Sequence, residues 1–224
     1  SRDREIVLVS SGYDMCIRFW SNFNSGSQCK YQIDYKDNAI NALEMTPNKE
    51  YVAFAAGNSI KFIDLKQGTP SLLLSIESHE GLVSNILIPD NFDKCFRSAG
   101  EDSTVRINDI RQQKGVKSFT HGNYVNSVAI GNHNKEIIAA DENGTIKIWD
   151  IAKNEMRTEY KSNINEEGLA FRSISLAENE GFLVGAKSNG TCCVFDYNNN
   201  EQGQILSLCN TFEAHKNYIT KCLL

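Results

Sequence analysis

A short unit recurs through the chain, and its spacing limits the possible folds more than any other feature. DMCIRFW (14–20), NSIKFID (58–64), DSTVRIND (102–109), NGTIKIWD (143–150) and NGTCCVFD (189–196) each join a turn residue to a short alternating strand that ends on a bulky or Trp-like position. In four of the five, an Asp follows that position. Taking Trp20, Ile63, Asn108, Trp149 and Phe195 as equivalent gives intervals of 43, 45, 41 and 46 residues. A fixed period of this size marks a repeat array in which each unit buries its apolar faces only against its neighbours.

The fourth copy shows why. Asn143-Gly144 predicts a two-residue type I′ turn with positive φ at both residues. Thr145 to Trp149 then alternates, with Ile146 and Ile148 on one face and Lys147 and Trp149 on the other. A strand with bulk on both faces is covered on both sides, so each sheet lies between two others. Each repeat divides into four strands; the third reads as 82–88, 94–100, 104–109 and 116–121. The chain opens at 6–11, in phase with a second strand, and closes on YITKCLL (218–224), in phase with a first, so twenty strands are expected. The class is therefore all-β, a WD40 β-propeller with five blades' worth of strands in one domain over 1–224. The repeats run 6–34, 35–77, 78–120, 121–163 and 164–213, with a final inner strand at 214–224. Either 218–224 completes the blade begun by 6–34 and closes a five-bladed ring, or the chain is part of a larger one.

Six residues before the Trp-like position stand Asp14, Asp102, Asn143 and Asn189, side chains that hold tight turns. A His opens a repeat at His79, His121 and His215. In a WD blade such a His, a Ser, the turn Asp and the Trp form one buried hydrogen-bonded chain. No repeat shows all four: the third has His79, Ser98 and Asp102 but Asn108; the fourth has His121 and Trp149 but Asn143 and Ala139; the first has Ser10, Asp14 and Trp20 without a His.

These stretches carry a family resemblance. SGYDMCIRFW, INALEMTPNKEYVAFAAG, SAGEDSTVRINDIR and EAHKNYITKCLL resemble the first, second, third and sixth repeats of the small WD-repeat subunits of the target-of-rapamycin (TOR) kinase complexes, the G-protein-beta-subunit-like proteins. The resemblance runs in phase from about residue 6 to the end. It implies a non-catalytic role: binding and stabilising the catalytic lobe of a TOR kinase, in both kinds of TOR complex. Family members have seven blades.

Partners of WD propellers dock on the rim where innermost strands begin and the turn before the third strand emerges. Here that rim holds Tyr13, Glu101 and Glu142 just before the turn residues, and Leu82, Tyr124, Asn126, Arg172 and Tyr218 at the inner-strand starts. Tyr and Arg are frequent interface anchors. The alternative reading is a generic WD adaptor, such as a ubiquitin-ligase substrate receptor using the same rim; a more remote one is a hydrolase with an axial metal. The latter needs several acids converging on a cation, and the inner strands offer almost none, so neither metal nor cofactor is expected. A net charge of −5 without a basic run argues against nucleic acid. Seven cysteines with no C-x-x-C pair, together with a start that lacks an apolar signal core, fit a reducing compartment. The expected location is cytoplasmic, with nuclear or peripheral endomembrane pools reached through partners, and no segment is expected to insert into a membrane.

Overall fold

A computed structural model describes residues 8–23, 26–36, 38–112, 114–162, 170–177, 181–197 and 206–224. The expected opening at residues 6 and 7 and the start of the fifth repeat at 164 lie outside them. Among the described residues nineteen strands form five antiparallel sheets and no helix occurs. The first sheet has three strands, β1 (Leu8–Ser11), β2 (Cys16–Phe23) and β3 (Gly26–Asp34). The next holds β4 (Ile40–Met45), β5 (Tyr51–Ala56), β6 (Ser59–Asp64) and β7 (Ser71–Glu77). The third holds β8 (Val83–Leu87), β9 (Cys95–Gly100), β10 (Thr104–Asp109) and β11 (Lys114–Thr120). The fourth holds β12 (Val125–Gly131), β13 (Glu136–Asp141), β14 (Thr145–Asp150) and β15 (Glu155–Lys161). The fifth holds β16 (Phe171–Ala177), β17 (Phe182–Lys187), β18 (Thr191–Tyr197) and β19 (Leu206–Glu213). Each is an up-and-down meander, the form of a propeller blade, and β4, β8, β12 and β16 run side by side as the inner strands.

The core lies between blades. Ile146 and Ile148 of β14 pack against Phe171, Leu183 and Phe195 of the fifth blade, while Trp149 on the opposite face packs with Val105 and Phe119 of the third. The second and third blades meet through Phe62 and Phe96, edge to face at 5.2 Å between centroids. Ile17 and Phe19 of the first meet Val52 and Phe54 of the second. Each fully buried Phe contributes roughly 1.5–3 kcal/mol from burial alone, so four such seams hold neighbouring blades in register.

Two expectations need correction. The Asn-Gly turn is not type I′. Glu142, Asn143 and Gly144 form a three-residue loop in which Gly144 has φ +76° and Asn143 is not left-handed. Asp141 causes this: its Oδ1 accepts the N–H groups of Asn143 (3.0 Å) and Thr145 (2.7 Å), capping the turn from the strand end and leaving only the last loop position left-handed. Nor does 218–224 form the twentieth strand or join the β1–β3 sheet. It lies along β16, but its polar bonds go largely to side chains: Cys222 N–H donates to Ser173 Oγ (3.2 Å) and Leu224 N–H to Ser175 Oγ (3.0 Å). Hydroxyls on alternate residues of β16 take the place of a backbone ladder.

Candidate functional site

Every inner strand carries the same irregularity near its start. The register between first and second strands skips one residue in each of blades two to five, and the residues left over are Asn41, Ser84, Asn126 and Arg172. A bulge bends the strand and re-aims the extra side chain. Three of the four reach across to the next blade: Asn41 Nδ2–H donates to the Val83 carbonyl (3.5 Å), Ser84 Oγ–H to that of Val125, and Asn126 Nδ2–H to that of Phe171 (3.1 Å). The result is a polar collar around the axis. Thr220 continues it, and the collar separates an upper mouth of about 1120 Å³ from a lower channel of about 890 Å³.

Six of the eight rim residues named from the sequence, Tyr13, Leu82, Glu101, Asn126, Arg172 and Tyr218, line the upper mouth. Tyr13 is 86% exposed and Tyr218 68%, so both rings stand free in solvent. Tyr124 is exposed as well and does not line the mouth; its carbonyl accepts the Glu142 N–H (2.9 Å). Glu142 sits behind Arg172 in a two-armed ion pair with both N–O distances at 3.0 Å, and also accepts from Asn126 Nδ2–H (2.8 Å). In the lower channel Glu44 is half-buried; burial pushes its carboxyl up, with Lys221 opposing. Among the described residues, no group of three or more His, Cys, Asp and Glu could hold a metal ion. No helix of the described residues is long and apolar enough to cross a membrane.

Beneath the mouth, buried polar chains fix the turns that carry it. In the third blade Asp102 lies 3.0 Å from His79 Nδ1, and His79 Nε2 lies 2.7 Å from Ser98 Oγ. Asn108 takes the Trp position: its Nδ2–H donates to Ser98 Oγ (2.9 Å) and its Oδ1 accepts from Ser78 Oγ–H (2.8 Å). With His79 neutral, its proton sits on Nδ1 toward Asp102 and Ser98 donates to Nε2. Burial pushes His79 below its ordinary value, against the pull of Asp102. Burial raises Asp102, but bonds from His79, Thr104 and Glu80 outweigh it and hold its carboxyl low.

In the fourth blade the acid beside the histidine is a residue the sequence reading missed, and no hydrogen bond joins the two. Asn143 does not meet the histidine. Asp141, two residues earlier and fully buried, lies with Oδ2 3.4 Å from His121 Nδ1, while His121 Nε2–H donates to the Ala139 carbonyl (3.2 Å) and the ring packs edge-on against Trp149. In the first blade Trp20 Nε1–H donates to Ser10 Oγ (2.8 Å), and Asp14 pairs with Arg18 (2.6 Å) at the surface. His215 is exposed and shows no such buried chain.

These histidines make stability acid-sensitive. Burial lowers both His79 and His121 below the unfolded value of about 6.5, so the unfolded chain binds more protons in that range. The stability they confer is complete above about pH 6.5 and is lost as pH falls through their folded values. The urea midpoint is expected to fall between pH 7 and pH 5, above the carboxylate range. His79→Gln should flatten that slope; an unchanged slope would contradict the assignment.

The family described as WD domain, G-beta repeat, matches residues 113–150, which span the outer strand of the third blade and most of the fourth. Three similar proteins extend the comparison to nearly the whole chain. The target of rapamycin complex subunit wat1 of Schizosaccharomyces pombe is 29% identical over 219 residues, covering 98% of this chain and 68% of its own. The target of rapamycin complex subunit LST8 of Saccharomyces cerevisiae is 30% identical over 219 residues, covering 98% of this chain and 70% of its own. The subunit LST8-1 of Arabidopsis thaliana is 30% identical over 220 residues, with the same coverage. The chain belongs to the LST8 family. Within this LST8-family chain, the collar, the mouth and the His-centred chains all fall inside the WD repeats, so the fold itself builds the site.

Proposed function

We propose that the whole of 1–224 acts as one propeller domain and as a non-catalytic subunit of a TOR complex, binding the catalytic lobe of a TOR-type kinase and stabilising it. The observation that carries this reading is similarity over 98% of the chain to proteins named as TOR complex subunits. The geometry is that of a docking platform. Exposed Tyr13 and Tyr218 flank the polar collar, Tyr124 is exposed outside the mouth, and Arg172 at the collar is held in place by Glu142. Rigid aromatic and arginine anchors lose little entropy on binding, which suits them to protein recognition. The role places the chain in the cytoplasm, reaching nuclear or endomembrane sites through its complex.

The test is a direct binding measurement. Tyr124→Ala together with Arg172→Ala is expected to weaken binding to a purified TOR catalytic lobe by more than about 2 kcal/mol, roughly 30-fold in Kd. The melting temperature should hardly move, because Tyr124 is exposed and the Arg172–Glu142 pair is partly solvated. Equal binding by the double variant would remove this rim from the interface.

A further inference from the structure

The repeat supplies an internal comparison between neighbouring blades. Glu101 and Glu142 are equivalent: the Glu101 N–H donates to the Leu82 carbonyl and the Glu142 N–H to that of Tyr124, both at 2.9 Å, each on the turn after a second strand. Their surroundings differ. The Glu142 carboxylate takes a hydrogen bond from the bulged residue of its own blade, Asn126, and a two-armed ion pair from the bulged residue of the next, Arg172. For Glu101 the corresponding residues are Ser84 and Asn126. Both are committed elsewhere: the Ser84 hydroxyl lies on the carbonyls of Ala99 and Val125, and the Asn126 amide on Glu142 and Phe171. Among the described residues no hydrogen bond or ion pair reaches the exposed Glu101 carboxylate, and it opens into the mouth. The next blade thus fills with its own arginine a position that here stands empty beside a carboxylate.

We propose that the mouth binds an arginine side chain of an extended partner peptide, with the guanidinium pairing to Glu101 as Arg172 pairs to Glu142. A planar guanidinium matches a carboxylate through two parallel bonds, which an ammonium cannot do. Leu82 beside Glu101, with Tyr13 and Tyr218 elsewhere on the mouth, supplies exposed apolar and aromatic surface for the aliphatic stem and flanking residues. The chain's net charge of −5 favours approach of a basic peptide. This inference rests on reading the mouth as a binding face and adds the chemistry it selects.

The test uses the capped tripeptide acetyl-Gly-Arg-Gly-amide, titrated into the isotope-labelled full chain and followed by amide chemical shifts. The expected result is saturable shifts at Leu82, Glu101 and Asn126 with a millimolar Kd. Both Glu101→Gln and the citrulline version of the peptide should weaken binding at least about fivefold, and the lysine version should also bind less well. Glu101 is exposed, so Glu101→Gln is expected to keep the parent spectrum elsewhere. Shifts that fail to saturate, or that are the same in Glu101→Gln, would overturn the proposal. Kinase-lobe binding that survives in Glu101→Gln leaves the subunit role intact, whereas arginine binding without kinase-lobe binding would count against that role alone.

Discussion

Arg157→Met is expected to destabilise the protein by about 3–5 kcal/mol, among the largest effects of any single substitution here. Glu136 is wholly buried at the start of β13, where it accepts from Arg157 of β15 and from the Tyr197 hydroxyl of β18 at 2.6 Å. Arg157 keeps a quarter of its side chain exposed, so of the two charges only the carboxylate depends wholly on its partners. Removing Arg157 strands that charge; Tyr197→Phe removes one neutral donor and should cost only about 1–2 kcal/mol. Replacing both ions, in Glu136→Leu with Arg157→Met, should recover most of the loss, because apolar residues need no desolvated charge to be balanced. The contact also joins the fourth blade to the fifth, and Gly131 is part of it: a Cβ there would collide with the Tyr197 hydroxyl. Urea denaturation of the four proteins checks the scheme, and an Arg157→Met variant within about 1 kcal/mol of the parent would contradict it.

The second large effect is Ser98→Ala. The hydroxyl is the centre of the buried chain in the third blade, receiving a proton from Asn108 and giving one to His79. Alanine leaves two buried polar atoms without that partner, and each orphan costs about 1–3 kcal/mol, so a loss of roughly 2–6 kcal/mol is expected. Ser10→Ala is the control. It breaks only the bond to Trp20, which is half-buried and can turn to water, so about 1 kcal/mol is expected. Similar losses from the two variants would mean that the chain in the third blade is not cooperative.

What the sequence disclosed and what it hid follow from how local each interaction is. Alternation in residues 145–149 sets which side chains face which neighbour, so Ile146, Ile148 and Trp149 pack as their phase requires. The His79–Ser98–Asp102 chain was legible because all three lie in one repeat at fixed offsets. Asp141 was not, because a count of six back from Trp149 stops at Asn143; the sign was an acid at the strand end two residues before the turn Asn. The Asn-Gly pair misled for the same reason, since the side chain of Asp141 rather than the dipeptide sets the turn. The pairing of Tyr197 with Glu136 spans 61 residues and leaves no local pattern. A bulge skips one rung of the ladder without changing composition, so the collar emerged only once strands were paired.

The proposed role of this chain is that of a scaffold subunit acting on a TOR-type kinase. Affinity capture of the intact 224-residue chain from lysate of its own organism, with crosslinking and mass spectrometry, tests it most directly. Crosslinks are expected from exposed lysines such as Lys216 and Lys221 to the catalytic lobe of a TOR-type kinase. A folded, monodisperse bait that captures no such kinase would contradict it.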